Sequence, residues 1–386
     1  MKTEHGGWQT RVALLALIMV LVFHSRLGAQ DFSVGFSGYL KNLGIRSESL
    51  LTGESYFLDV SRVRAKGMFD FGDRIHAEVW LDNELLAGNF LATPDFRLRE
   101  FIQRPVFLDL DWTVADGDKY ELRQSLFRAF ATVYAGTAEV TIGRQRIAWG
   151  AGFVWNPTDL LNPFNPTAIE LDEKEGVDAV YAVLPSGTFL RLEAAFAPGR
   201  DDLKSRFAGR VTSHVGKYDF SFMAGDFQDD FVVGGDFAGY IGGAGLRGEF
   251  AYTWKEDHDN FVRAVLNADY NLPWDVYAFG EFYYNGQGAS DKEDYDFTAL
   301  FFGETFNLAQ LYVAGSANKA VTPLFSVSLY SILNLNDGSR FFGPAVIYSL
   351  ATNLEFSGSV YVFSGADGSE YGLLETTVFG YLQYYF

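Results

Sequence analysis

The sequence predicts an all-β chain that closes into a transmembrane, antiparallel, up-and-down β-barrel. Three observations predict it: an apolar N-terminal segment typical of export, alternation of apolar with polar or small residues along the rest of the chain, and an aromatic last segment that ends in Phe386. Strands that cross a membrane in a barrel face lipid on one side only. They therefore show a two-residue period between turn residues instead of a long apolar run.

The N-terminus has the order of a secretory signal peptide. Lys2 and Arg11 precede the apolar run from Val12 to Phe23, and a polar stretch ending in Ala29 follows it. A single membrane-anchoring helix is the alternative, but the run is shorter than the roughly 20 residues that a helix needs to cross a bilayer. We predict a signal peptide at 1–29 and one barrel domain at 30–386.

Composition excludes several classes of function. The chain has 37 Phe, 21 Tyr, 40 Gly and no Cys, and its formal net charge is −19. Disulfides and cysteine-ligated metals are therefore excluded, and the acidity opposes nucleic-acid binding. Acidic pairs such as Asp201-Asp202 lie between the apolar segments. They predict either divalent-cation bridges to the lipid and lipopolysaccharide of an anionic leaflet or plain solubility of exposed loops.

The alternating segments number eighteen, an even count that places both chain ends on the periplasmic side. Sixteen strands are the alternative, if the Gly-rich stretch at 231–245 is misread. The strands of a soluble β-sandwich would also alternate apolar with polar residues. In this sequence, however, short turns such as Gly72-Asp73 alternate with long polar loops, as in a membrane barrel. The predicted strands are 31–47, 57–71, 74–86, 120–135, 138–149, 177–185, 188–198, 204–215, 218–228, 231–242, 245–256, 260–271, 276–286, 306–317, 323–335, 340–350, 354–364 and 375–386.

The last segment carries an assembly signature. Val378, Gly380, Leu382, Tyr384 and Phe386 share one face of the strand. A terminal Phe that closes an aromatic strand resembles the recognition signal of the outer-membrane barrel-assembly machinery, with Tyr384 and Phe386 carrying the match and Gly380 one place early. The resemblance implies insertion into the cell outer membrane of a Gram-negative-type bacterium.

A ladder of basic residues marks the lumen side of the early strands. In the segment 57–71, Val63 and Ala65 belong to the lipid face, so Arg62, Arg64 and Lys66 point inward. Facing charges create a transverse field in a pore, and basic rings favour anions. The alternative is a salt-bridge network that stiffens the wall, and both can hold together. The candidate constriction residues are Arg62, Arg64, Lys66, Glu78, Asp82, Arg123, Arg128, Arg144 and Arg146.

Arg144 and Arg146 are out of phase with that assignment. They follow Val140 and Ile142 at even spacing, so strict alternation would point them at lipid. An arginine in lipid is costly. We therefore predict a β-bulge at Gly143 that turns both side chains inward.

The segment after Gly143 begins as a strand and continues as a long loop with repeated Asn-Pro pairs, which favour turns. By position it is the third extracellular loop. The Gly-Arg-Gln strand, Trp149-Gly150 and the Asn-Pro-x-Asp-Leu-Leu-Asn-Pro run resemble segments of porin-like outer-membrane families, including the alginate-export type. The resemblance implies a substrate-conducting barrel with an inward-folded loop, and an ordinary surface loop is the alternative. The candidate constriction-loop residues are Trp155, Asn156, Asp159, Asn162, Asn165 and Glu170.

The loop 87–119 is too apolar for free solvation. We expect it to pack inside the barrel as a plug or against a neighbouring subunit of a homo-oligomer. Catalytic signatures are weak, because His76, His214 and His258 have no nearby Ser motif and the sequence has no zinc-spaced His pair or phosphate-binding glycine loop.

The sequence therefore predicts a passive outer-membrane porin or substrate-selective channel for small hydrophilic, including anionic, solutes, without enzymatic activity, cofactor or metal. The rival is a non-conducting barrel that serves as a structural or adhesion scaffold or as a sheath around a partner protein.

Overall fold

The computed structural model describes residues 32–98, 106–163, 165–170, 173–200, 204–256, 259–301 and 305–386. The predicted signal peptide at 1–29 lies outside these residues. The described strands form one sheet in which each strand runs antiparallel to its neighbours, and the first strand pairs with the last. The sheet is therefore a closed barrel.

The sheet contains nineteen strands. In chain order they are β1 (Phe32–Glu48), β2 (Ser55–Phe71), β3 (Ile75–Ala87), β4 (Asp111–Gly117), β5 (Tyr120–Ala135), β6 (Ala138–Gln145), β7 (Val177–Ser186), β8 (Leu190–Ala197), β9 (Arg206–Val215), β10 (Tyr218–Phe227), β11 (Asp230–Ile241), β12 (Ala244–Trp254), β13 (Phe261–Leu272), β14 (Val276–Asn285), β15 (Leu311–Thr322), β16 (Phe325–Asn334), β17 (Arg340–Ala351), β18 (Leu354–Ser364) and β19 (Thr377–Tyr385). Short helices lie at Pro94–Leu98 and Phe297–Phe301. Of the helices in the described part, none is long and apolar enough to span a membrane.

Eighteen of these strands form the wall. β3 and β5 pair directly along their length, whereas β4 pairs with the first half of β5 and β6 pairs with its second half. β4 is thus an addition beside the short strand β6. The prediction of eighteen strands is confirmed, and the Gly-rich stretch at 231–245 forms β11 and the start of β12.

The outer surface is apolar and the alternate residues are enclosed. Along β13, Leu266 is 53% exposed while its neighbour Asn267 is 2% exposed. Along β2, Val63 is exposed and Arg64 is buried. An apolar outer face with a polar inner face is the arrangement that a barrel in lipid requires. Turns of two or three residues join the strands at one end, which is the periplasmic end because short turns lie on that side of such barrels. The connections at the other end vary in length, from two residues at 228–229 to the long loop at 146–176.

Most strand boundaries lie within two residues of the predicted ones, and three differ by more: the start of β15, its end at Thr322 instead of 317, and the end of β6. β15 begins at Leu311 instead of 306, because Leu308 and Ala309 are buried inside the barrel as part of an inward-folded loop. β6 ends at Gln145 instead of 149, because Ile147 and Trp149 pack inside as well. Neither apolar stretch can be distinguished from a lipid-facing strand by its composition alone. β4 was not predicted.

The loop between β6 and β7 crosses the lumen. Its residues Ile147, Trp149 and Leu161 pack against small inward-facing residues of β7 to β12, among them Ala195 and Ala208. Its residues Val154 and Trp155 pack in a second cluster that joins β1 to β3 with β13 to β19. Loop and wall therefore bury a common core inside the barrel. Phe90 and Phe96, from the apolar loop 87–119, pack on the edge of the second cluster.

Candidate functional site

The basic ladder is built by the pairing of β2 with β3. Arg62 lies opposite Glu84, Arg64 opposite Asp82 and Lys66 opposite Trp80. Because successive side chains of a strand point to opposite faces, all six point into the lumen. Arg64 and Asp82 are each 2% exposed and form a two-bond ion pair, with Nε–Oδ1 at 2.6 Å and Nη2–Oδ2 at 2.5 Å.

Carboxylates of the inward loop lie on the ladder. Glu170 accepts hydrogen bonds from Lys41 Nζ and from both terminal nitrogens of Arg62, each at 2.8 Å. Glu173 accepts from Lys66 Nζ at 2.7 Å and from Arg64. The wall thus presents cations to a loop that presents anions.

The charge of Glu170 is fixed by its partners. Burial alone would raise the pKa of the Glu170 carboxyl, but the hydrogen bonds and positive charges of Arg62 and Lys41 outweigh it and lower that pKa to about 2. Glu170 is therefore ionised at neutral pH, and the pairing with the ladder persists over the physiological range.

Aromatic rings of the wall pack against the basic side chains. Lys66 Nζ lies 3.9 Å and the Arg128 guanidinium 4.3 Å from the centre of the Trp80 ring. The Arg64 guanidinium lies 3.6 Å from the centre of the Phe127 ring, which stacks on Trp80. These cation–π contacts hold the long basic side chains along the wall.

The ladder, the start of β5 and the loop acids line a cavity of about 960 Å³. Its lining includes six basic and seven acidic side chains, so the charges nearly balance. The wall side of the cavity differs from the loop side in how these charges are arranged. The charged lining residues are Lys41, Arg62, Arg64, Lys66, Arg123 and Arg144 against Asp82, Glu84, Asp111, Glu121, Glu170, Glu173 and Glu175.

Arg144 reaches this cavity without the predicted bulge. The pairing of β5 with β6 runs from Ala135 to Ala129 without a register shift, so the expectation of a bulge is wrong. Gly143 instead has φ +120°, a backbone conformation that favours glycine, and Arg144 after it lines the cavity. Arg144 is buried and pairs with Asp178 at 2.9 Å, while Arg146 is exposed.

Three other predicted constriction residues have different partners. Arg123 pairs with Glu121 on its own strand. Glu78 bonds His76 and the Trp80 indole nitrogen at 3.0 and 2.8 Å, nearer the periplasmic end. Arg128 donates to the backbone carbonyl of Lys174 at 3.1 Å.

Of the predicted loop residues, Glu170 lines the cavity and the others shape the loop. The Trp155 ring stacks on Tyr283 at 4.9 Å. The Asn156 side chain accepts from Gly152 N–H at 3.0 Å. Asn162 donates to the Glu175 carbonyl at 2.6 Å, and Asn165 accepts from the Thr167 backbone.

Asp159 also acts within the loop. It is 3% exposed and pairs with Lys174 at 2.7 Å. Burial raises the pKa of Asp159 to about 6 although the Lys174 charge opposes it. This buried pair ties the middle of the loop to its end.

Sequence reasoning missed four residues. Lys41 and Glu173 complete the ladder contacts, and Glu249 and Glu281 hold the loop from the opposite wall. A signal for the last two was available, because each is a Glu at an inward position of a strongly alternating strand. Within the described residues, no group of three or more His, Asp or Glu side chains is close enough to hold a metal ion.

The C-terminal residues close the barrel. Phe386 exchanges backbone hydrogen bonds with Gly38 at 2.9 and 3.0 Å, and its ring lies 5.9 Å from that of Phe36. Tyr384 pairs with Leu40, and both side chains are exposed on the outer surface. The aromatic end of β19 therefore forms part of the seam.

No known protein family matches the chain, and no curated protein matches it in sequence. Solved structures do match its fold. The outer membrane protein OprD from Pseudomonas aeruginosa is 10% identical, with 93% of this chain and 96% of that one covered and a TM-score of 0.59. OccK5 (OpdH) of the same organism is 10% identical, covers 92% and 98%, and has a TM-score of 0.56. OccK8 (OprE), also from Pseudomonas aeruginosa, is 9% identical, covers 92% and 98%, and has a TM-score of 0.55. Over nearly its whole length, the chain has the fold of a porin-like outer-membrane barrel.

Proposed function

We propose that the protein is an outer-membrane channel through which small hydrophilic solutes diffuse passively, and that it is not an enzyme. The observation that carries the proposal is the cavity of about 960 Å³ inside the barrel, where a ladder of wall cations faces the acids of an inward loop. A polar, charge-lined space inside an apolar-surfaced barrel is suited to the passage of solutes that lipid excludes.

The ladder sets the selectivity. Lys41, Arg62 and Lys66 hold carboxylates of the protein's own loop, so the carboxylate of a solute can form the same bonds when it replaces Glu170 or Glu173. Solutes that carry an anionic group are therefore bound more favourably at the constriction than neutral solutes. The nearly balanced lining predicts a weak preference among inorganic ions.

Assembly and surroundings follow the same proposal. The barrel-assembly machinery inserts the chain by its last strand, whose Phe386 closes the seam. The outer surface contacts lipid, and its extracellular rim contacts lipopolysaccharide. Cleavage after Ala29 and association into homo-oligomers remain predictions.

A swelling assay on liposomes tests the function. Liposomes that contain the refolded mature chain are diluted into a neutral sugar or into a sugar acid of the same size. We expect both solutes to enter, and Lys66→Gln to slow the acid selectively. Lys217→Gln, in the exposed turn between β9 and β10, is the charge-matched control. Correctly folded barrels that admit neither solute would contradict the proposal and favour the scaffold.

A further inference from the structure

A carboxylate of the barrel wall gathers three successive backbone N–H groups of the inward loop. Glu281, on β14, accepts hydrogen bonds from the N–H of Phe153 at 2.6 Å, Val154 at 3.0 Å and Trp155 at 2.8 Å. The side chain of Asn267, on the neighbouring strand β13, donates a fourth bond at 3.0 Å. Glu281 is only 2% exposed, so these donors replace its water.

A second wall carboxylate holds the flanking residues. Glu249, on β12, accepts from Ala151 N–H at 2.8 Å, from Gly152 N–H at 3.3 Å, and from the N–H and hydroxyl of Thr158 at 2.6 and 2.8 Å. Gly150 has φ +100°, and a Cβ there would lie 2.7 Å from a Glu249 oxygen. The loop thus curls tightly around this carboxylate.

Both carboxylates are balanced by N–H and hydroxyl donors and not by a cation. Throughout the part of the chain that the structure describes, neither Glu249 nor Glu281 forms an ion pair. Between β6 and β7 the described residues form no helix or strand, so the N–H groups of 151–155 and of Thr158 have no partners in a strand or helix. Asn156 of the loop itself accepts from Gly152, and the two wall carboxylates accept from all six N–H groups. An ionised carboxylate accepts several bonds and donates none, which fits these contacts.

We infer that Glu249 and Glu281 are the positioning residues of the inward loop: their carboxylates fix residues 151–158 across the lumen. By fixing this segment they also set where the loop ends, and hence where Glu170 and Glu173 meet the ladder. Only the consequence for conduction rests on the proposed function, because the geometry of the loop does not depend on it.

Substitution of either glutamate by glutamine removes the negative charge and keeps the volume of the side chain nearly unchanged. In Glu281→Gln one acceptor oxygen becomes an NH₂ donor that faces other donors, and the charge-assisted bonds are lost. Because the chain has no Cys, a Val154→Cys variant reports on the loop alone. Val154 is 5% exposed, so a water-soluble maleimide reacts slowly with that cysteine when the loop is in place.

The test measures maleimide labelling of Val154→Cys in barrels folded in liposomes. We expect Glu281→Gln and Glu249→Gln each to speed labelling about tenfold or more. Glu193→Gln is the matched control, since Glu193 is a buried wall carboxylate that bonds Tyr181 instead of the loop. Labelling as slow in both loop-facing variants as in the control would overturn the inference.

Folding and conduction are read separately. Resistance of the folded barrel to sodium dodecyl sulfate, lost on heating, shows which variants have folded, and Glu249→Gln alone decides the test if Glu281→Gln does not fold. Conductance of the same preparations is expected to rise with labelling. Faster labelling in barrels that never conduct would support the positioning role while contradicting the proposed channel.

Discussion

Arg64 is the most enclosed cation of the ladder. Its guanidinium is paired with Asp82 and Glu173 and lies over the Phe127 ring, and only 2% of the residue is exposed. A buried ion pair adds little net stability, because both charges lose their hydration, but removal of one partner strands the other. At the scale of single residues, each charged side chain of the ladder therefore depends on its ion-pair partner to remain buried.

Arg64→Met should lower the free energy of unfolding by about 3–5 kcal/mol, since Asp82 is left buried without its two-bond partner and with only the more distant Arg62, at 3.9 Å. The double variant Arg64→Met/Asp82→Leu should recover most of that loss. Arg191→Met, at an exposed position, should change stability by less than about 1 kcal/mol. Urea titration of the barrels in lipid vesicles measures all three. A loss at Arg64 no larger than that at Arg191 would show that the pair is solvated.

At the scale of elements, loops fold inward and are tied to the wall by single polar groups. Glu370, in the loop before β19, accepts from Leu308 N–H at 3.2 Å, from the Tyr312 hydroxyl at 2.5 Å and from the Asn334 amide at 2.8 Å. It thereby joins the loop before β15 to the loop before β19. Burial raises the pKa of Glu370 to about 7, although these hydrogen bonds oppose the shift.

The stability contributed by Glu370 should therefore depend on pH. Its folded-state pKa lies above the ordinary value of 4.5, so the folded state binds the proton more tightly than the unfolded state. That contribution is complete below pH 4.5 and decreases as pH rises to about 7. Glu370→Gln should remove this slope. Urea midpoints at about pH 5 and about pH 8 measure it, and an equal slope in wild type and variant would assign the pH dependence to other groups.

At the scale of the whole molecule, the surrounding lipid belt, which is the band of membrane around the middle of the strands, determines which residues the barrel can expose on its outer face. Leu266 lies midway along β13, and Leu324 lies in the turn between β15 and β16, yet both are more than half exposed. Leu266→Arg should destabilise the barrel in lipid by about 2–4 kcal/mol, and Leu324→Arg by about 0–1 kcal/mol. Unfolding titrations in vesicles compare them. Equal costs at the two positions would contradict the placement of the membrane around the middle of β13.

This belt also explains what the sequence could predict. Because lipid outside and water inside impose a two-residue period, strands such as β2 and β13 could be located, and Arg62, Arg64 and Lys66 could be placed inside. Glu170 could be assigned to the constriction loop, but its pairing with Arg62 and Lys41 could not be predicted and Glu173 was missed, because the path of this loop is set by distant contacts. The path of residues 306–310 could not be predicted either. Their apolar side chains pack in the core of an inward-folded loop, and from the sequence they were assigned to a strand.

Ion conduction through single barrels in a planar bilayer tests the central claim most directly. We predict steady, ohmic openings with a reversal potential near zero under a salt gradient, because the basic and acidic linings nearly balance. Glu170→Gln/Glu173→Gln should shift the reversal potential towards anion preference, and Lys66→Gln should shift it towards cation preference. Folded barrels that stay closed, or reversal potentials that none of these substitutions moves, would contradict a channel controlled by the ladder and its facing loop.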